Sequence, residues 1–252
     1  MLITKDCFGY RLICEKKVEM NEIALYIDIE GFSEKFENGG MQSFINLTND
    51  LFKLGQEYYS HLSIIQFGGD GFLIKEIGVY QNNLEKFVEL GTILLKAIIL
   101  RGGMGRVQIS SGKMADIVGL YSHQIQQSFT LEKYNNILYQ NKNVMLINPI
   151  IGTAIINCIK LKGPSGPLLL IDKELVIEKN QKKYTKLTID EQEVFNFNWV
   201  KHSSEKIKQV LKILELDESN LLSCFKRYLE TNILTDNWKI QANRLLATSN
   251  LK

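Results

Sequence analysis

Residues Ser63 to Ile77 read SIIQFGGDGFLIKEI. Two apolar β-type runs flank a turn in which Gly68, Gly69 and Gly71 surround a lone carboxylate, Asp70. Glycine and aspartate tolerate positive φ, so a tight hairpin accounts for the pattern. The same residues suit a metal site: a carboxylate at the tip binds a hard cation, and glycines let a phosphate tail approach the backbone without meeting a Cβ. The local pattern fits both.

On the N-terminal side, IALYIDI (Ile23 to Ile29) is dense in β-branched and aromatic residues and reads as a strand that ends at EGFSEKFENGG. Between Met41 and Tyr59, the positions Phe44, Leu47, Leu51, Leu54 and Tyr58 recur every three or four residues, which predicts a helix. On the C-terminal side, Leu84, Phe87, Val88, Leu94, Leu95 and Ile98 predict a second helix, and another strand is expected to begin near Leu100 and run through LRGGMGRVQISSG. The order β, α, β, β, α, β gives a mixed α/β (α+β) fold with a ferredoxin-like split βαβ core, the core that polymerase palms share.

Farther along, Val144 to Ile147 and Pro167 to Asp172 read as short strands, and PIIGTAIINCIKLKG reads as a loop entering a helix. Leu120 to Lys142 is polar and carries no clear period. From about Thr188 lysine, glutamate and leucine recur at helical spacing, with Ser203 or Ser204 as N-cap. The expected organisation is a core domain over 1–187 and a helical extension over 188–252 that serves packing or dimerisation.

The 252 residues carry a net charge of +2, and no stripe of interleaved basic and aromatic residues is present, which argues against a nucleic-acid partner. No signal peptide and no spanning apolar run is read, so a cytoplasmic protein with no membrane partner is expected. Cys7, Cys14, Cys158 and Cys224 form no CxxC pair, and His61, His123 and His202 lie far from them in sequence, so zinc is not expected. No nucleophile stands near a base, which argues against a hydrolytic triad.

Asp28 follows a run of strand-forming residues. In a split βαβ fold the first strand lies beside the hairpin, which brings Asp28 and Asp70 to one edge of the sheet. Two carboxylates that close repel, and one stays protonated unless a cation sits between them. Magnesium or manganese, bound with substrate phosphates, resolves the conflict. Gly31 opens the backbone beside Asp28, where the amides of Phe32 and Ser33 are placed to receive phosphate.

Four segments, IALYIDIEGFSEKF, IIQFGGDGFLI, LRGGMGRVQISSGKMADIVG and IGTAIINCIKLKGPSGPLLLIDKEL, resemble successive signature segments of the class III nucleotidyl cyclases, over about Met20 to Ile177. The spacing of 42 residues between the two acids is similar to the family's. The resemblance implies that Asp28, Asp70 and the Ile29 carbonyl hold two Mn2+ or Mg2+ ions, with Asp28 and Asp70 catalytic. It implies in-line attack of the ribose 3′-hydroxyl on the α-phosphorus with loss of pyrophosphate. It also implies a head-to-tail homodimer with sites at its interface.

The sequence departs from that family's purine members. Their base-reading Lys or Glu, four residues before the second aspartate, is Gln66 here, and a second base-reading position falls near Asn148 or Pro149. The transition-state helix has no arginine, and Asn157 and Lys160 are the nearest substitutes. Arg101 and Arg106 are candidates for the missing charge, with a surface role equally open to each. The departures are similar to those of the pyrimidine cyclases of bacterial anti-phage defence. That resemblance implies a pyrimidine nucleoside triphosphate substrate, UTP ahead of CTP, and a cyclic UMP or cyclic CMP product sensed by a separate effector. The alternative is a degenerate cyclase domain, a dimeric nucleotide-binding module without turnover.

Overall fold

The computed structural model describes residues 2–6, 9–13, 20–32, 40–59, 62–67, 69–76, 83–116, 137–140, 143–146, 150–161, 163–189 and 191–247. Among the expected positions, Ser33, Gly68, His61, His123, Asn148, Pro149, Cys7 and Cys14 lie outside the described residues.

Two small hairpins stand apart from the main sheet: β1 (Leu2–Asp6) with β2 (Gly9–Ile13), and β7 (Ile137–Gln140) with β8 (Asn143–Leu146). The core comprises β3 (Met20–Ile29), α1 (Met41–Glu57), β4 (Leu62–Phe67), β5 (Gly71–Glu76), α2 (Leu84–Leu100) and β6 (Gly105–Asp116). Its strands lie in the order β6-β3-β5-β4 with every neighbour antiparallel. This is the ferredoxin-like split βαβ arrangement that the spacing of apolar residues predicts.

Next come β9 (Ile150–Gly152), α3 (Thr153–Lys160), β10 (Leu169–Asp172), β11 (Tyr184–Ile189), β12 (Gln192–Phe197), α4 (Glu205–Ile213), α5 (Leu221–Thr231) and α6 (Asp236–Ala247). β10 adds to β6 in parallel, β12 and β11 extend the sheet beyond it, and β9 pairs with the far end of β6. The boundary expected after residue 187 therefore falls inside β11, and the helical part begins only at Glu205, where the Ser204 hydroxyl accepts the Ile207 amide at 3.1 Å.

Side chains alternate across the sheet, as strands require. Ile23, Leu25, Ile27 and Ile29 of β3, with Val107, Ile109, Leu169 and Ile171, enter one large core under α1 and α2. Trp199, Phe225, Trp238 and other residues from the last helices join the same core, so the C-terminal part is not a separate module. The opposite face presents Ala24, Tyr26 and Asp28. Ala24 is covered with Leu73 and Met114 by Ala154, Ile155 and Cys158 of α3. Among the described residues no helix is long and apolar enough to cross a membrane.

Candidate functional site

Asp28 is the penultimate residue of β3 and lies opposite Arg106 on β6. On the other side of β3, Ile27 pairs with Phe72, so the β4–β5 turn that carries Asp70 sits beside Asp28. The two carboxylates are close enough to share a hydrogen bond. Burial, and then Asp70, push the Asp28 carboxyl up to about 6, against the opposing pull of Arg106 and the Ile29 amide. The Tyr26 phenol lies close to the Asp28 carboxylate, and burial together with both acids raises it far above the ordinary range, so it stays neutral. Gly71 makes room for that ring: a Cβ there would lie 2.3 Å from the Tyr26 hydroxyl oxygen.

Arg106 supplies the site's cation. One terminal nitrogen donates to the Leu161 carbonyl at 3.4 Å, while Nε is buried and has no hydrogen-bond partner among the described residues. Desolvation disfavours the charged guanidinium, and Glu30 and Asp28 hold it in that form. These groups face a cleft of about 500 Å³. Asp28, Asp70, Arg106 and the turn from Ile29 to Phe32 form one side, and Ser165, Thr235 and Trp238 form part of the other. Gly31 has φ 71°, the left-handed value that lets the turn reverse at the end of β3.

The other expected site residues lie elsewhere. Arg101 is not in the cleft: α2 runs to Leu100, so Arg101 caps that helix, and its guanidinium grips the buried Asp50 at 2.9 and 2.7 Å and the Leu214 carbonyl at 3.0 Å. The charge sought there is Arg106, five residues on, where the strand has begun. Gln66 is exposed on β4 and donates to the Gly69 carbonyl at 2.9 Å, bracing the turn that carries Asp70. Asn157 and Lys160 are exposed on α3, and Asn157 donates to the Ser111 carbonyl at 3.0 Å. Neither borders the cleft, nor does Gln66.

Three participants escape the sequence reading. Tyr26 could have been found, since it shares a strand face with Asp28 at a spacing of two. Glu30 and Trp238 could not, because their contact spans 208 positions.

Among the described residues no group of three or more His, Cys, Asp and Glu side chains forms a metal cage. The donor set is instead two adjacent carboxylates and nearby backbone carbonyls. These are hard oxygen donors whose mutual repulsion a divalent cation relieves, so the residues fit Mg2+ or Mn2+. In the metal-free protein the pair works against folding. Asp28 holds its proton more tightly in the folded chain than at its ordinary 3.8, so stability falls as pH rises from about 4 to 6. Asp28→Asn is expected to flatten that decline and to raise metal-free stability at pH 7.5 by about 1–2 kcal/mol, allowing for solvent screening of a half-buried group. Urea melts of both proteins at pH 4.5 and 7.5 check this, and equal slopes would reject it.

No protein-family model matches this sequence, and no curated protein matches it. Among solved structures, the chain is similar to the adenylyl cyclase CyaB from P. aeruginosa, with 13% identity and a TM-score of 0.46 over 75% of this chain and 98% of that one. It is also similar to a bacterial light-regulated adenylyl cyclase, with 14% identity and a TM-score of 0.45 over 82% of this chain and 59% of that one. A third likeness is to a class III adenylyl cyclase-like ATP-binding protein from Pseudomonas aeruginosa, with 13% identity and a TM-score of 0.43 over 82% of this chain and 41% of that one.

Proposed function

We propose that the chain is a nucleotidyl cyclase of the class III kind that converts a pyrimidine nucleoside triphosphate, UTP ahead of CTP, into its 3′,5′-cyclic nucleotide and pyrophosphate. The observation that supports this most is the convergence of Asp28 and Asp70 in one cleft beside the buried Nε of Arg106, which has no hydrogen-bond partner among the described residues. Asp28, Asp70 and the Ile29 carbonyl are the residues to hold two Mn2+ or Mg2+ ions. When bound, such ions supply Lewis-acid activation of the 3′-hydroxyl and neutralise phosphate charge. Arg106 adds a fixed cation for the phosphates, and the backbone of the turn that includes Phe32 borders the same space. The chain's own contribution is positioning and electrostatics, with no covalent intermediate on a side chain.

Gln66, Asn157 and Lys160 are exposed and lie outside the cleft of their own chain, which suits a head-to-tail homodimer in which each acts on the partner's site. Exposed apolar residues on the same elements, Phe67 beside Gln66 and Ile156 and Ile159 on α3, suit the same interface. The pyrimidine assignment rests on the resemblance described above and on Gln66 in place of a purine-reading lysine. We place the enzyme in the cytoplasm, its product acting on a cyclic-nucleotide-sensing effector in anti-phage defence. One observation favours a second reading, a dimeric nucleotide-binding module without turnover: Lys160 is the only cation on α3.

Incubation of the purified chain with each of ATP, GTP, UTP and CTP, with Mn2+ and with Mg2+, separates the readings. Cyclic UMP, with less cyclic CMP, is expected. Cyclic AMP or cyclic GMP alone would overturn the base assignment, and no cyclic product from any of the four would leave the binding module.

A further inference from the structure

The C-terminal helices do not merely cover the core. Residues from the end of α5 to the first turn of α6 form the wall of the cleft that faces the two aspartates, with Thr235 and Trp238 at its surface. One contact ties this wall to the other side. The indole Nε1 of Trp238 donates to one carboxylate oxygen of Glu30, and the Gly166 amide donates to the other at 3.3 Å.

Glu30 immediately follows Ile29 and opens the turn that includes Gly31 and Phe32. The backbone of that turn is anchored on its other flanks. The Glu30 amide donates to the Met104 carbonyl at 3.0 Å, and the Phe32 ring packs against Phe44 of α1 with centroids 6.0 Å apart. The Trp238 bond adds a side-chain restraint from the C-terminal helices, beside the Gly166 amide and the charge of Arg106 that also act on Glu30. Its donor is rigidly held: Trp238 is 4% exposed, stacks on Tyr228 at 5.7 Å, and belongs to a helix whose first turn is capped by Thr235, itself 3.3 Å from the Ser165 hydroxyl.

We infer that Trp238 is a positioning residue of the cleft. Through Glu30 it fixes the turn that follows Asp28, and so sets the aim of the Ile29 carbonyl and of the backbone at Gly31 and Phe32. The last helices are thus a working part of the site, and divalent-cation binding and their docking are coupled. A restraint behind a ligand orients it, and losing such a restraint typically weakens metal affinity by about ten- to a hundredfold. This inference rests on the proposed metal site, although its principal readout does not require turnover.

The test is Mn2+ binding to the full chain, followed by the electron paramagnetic resonance signal of free Mn2+, in wild type, Trp238→Phe, Glu30→Gln and the double variant. Phenylalanine keeps an aromatic ring against Tyr228 while removing the N–H donor and part of the indole's bulk, and glutamine keeps an acceptor of the same size without the charge. The Mn2+ dissociation constant is expected to rise about tenfold in Trp238→Phe. The double variant is expected to lose less than the product of the two single losses, because the Trp238 bond is common to both, while Glu30→Gln also removes the charge beside Arg106. With a cyclisable triphosphate, kcat is expected to fall by a similar factor and KM to change less than about twofold, the mark of lost alignment rather than lost binding. Wild-type Mn2+ affinity in folded Trp238→Phe, or losses that multiply in the double variant, would overturn the inference and leave the cyclase proposal standing. Wild-type chain that binds no Mn2+ would overturn both.

Discussion

Asp70→Asn is expected to lower turnover by at least about a hundredfold while the chain keeps its fold. Asparagine is as well suited as aspartate to a turn, so the hairpin between β4 and β5 survives the change. What disappears is one negative charge beside Asp28, the neighbour that helps hold the Asp28 carboxyl high. The metal-free protein has no reason to lose stability, and only the donor set for cations is damaged. Chromatographic detection of cyclic product, with a circular dichroism melt of the same sample, checks both halves. A folded variant with wild-type turnover would remove Asp70 from the site, and one that fails to fold would make it a hairpin residue only.

The largest expected effect on stability lies away from the cleft. Lys96 is in the C-terminal half of α2 with its side chain fully buried, where its ammonium pairs with Glu218 and donates to the His202 carbonyl at 2.6 Å. Glu218 is in turn held by the Ser203 hydroxyl at 2.7 Å. Burial disfavours the charged lysine and Glu218 restores it, so the pair stands or falls together. Lys96→Ala leaves a largely buried carboxylate without its partner and a void beside it, a loss of about 3–5 kcal/mol. Lys96→Met with Glu218→Gln removes both charges and fills the space, and should be far less damaging. Urea denaturation of the two variants measures the difference, and equal losses would show that packing rather than the ion pair matters at this position.

The parts of the fold that could be read in advance are those whose pattern is local. Leu47, Leu51 and Leu54 mark the buried face of α1 by spacing alone, and Gly69 and Asp70 mark the hairpin. The hairpin of β11 and β12 was hidden by composition. Tyr184–Ile189 is an edge strand with no fully buried residue and many polar ones, and its turn uses Glu191 at φ 67°, a residue that gives no turn signal. A shift in an element boundary explains the exchange of arginines. The sequence places the start of a strand near Leu100, with glycines that blur its boundary, but the helix continues to that residue, which turns Arg101 toward Asp50 in the helical layer. Asp28 and Asp70 were legible together because the order of elements brings the first strand against the hairpin, whatever the loops do. No local chemistry pointed to Trp238.

That last contact has a consequence for how the protein is made. Synthesis delivers both aspartates and their strands early, whereas the indole that meets Glu30 arrives 208 positions later. Pairings across such distances close late and slow the final stage of maturation. On the ribosome the acidic pair is therefore open to water on one flank, and the nascent chain stays unfinished until α6 has docked.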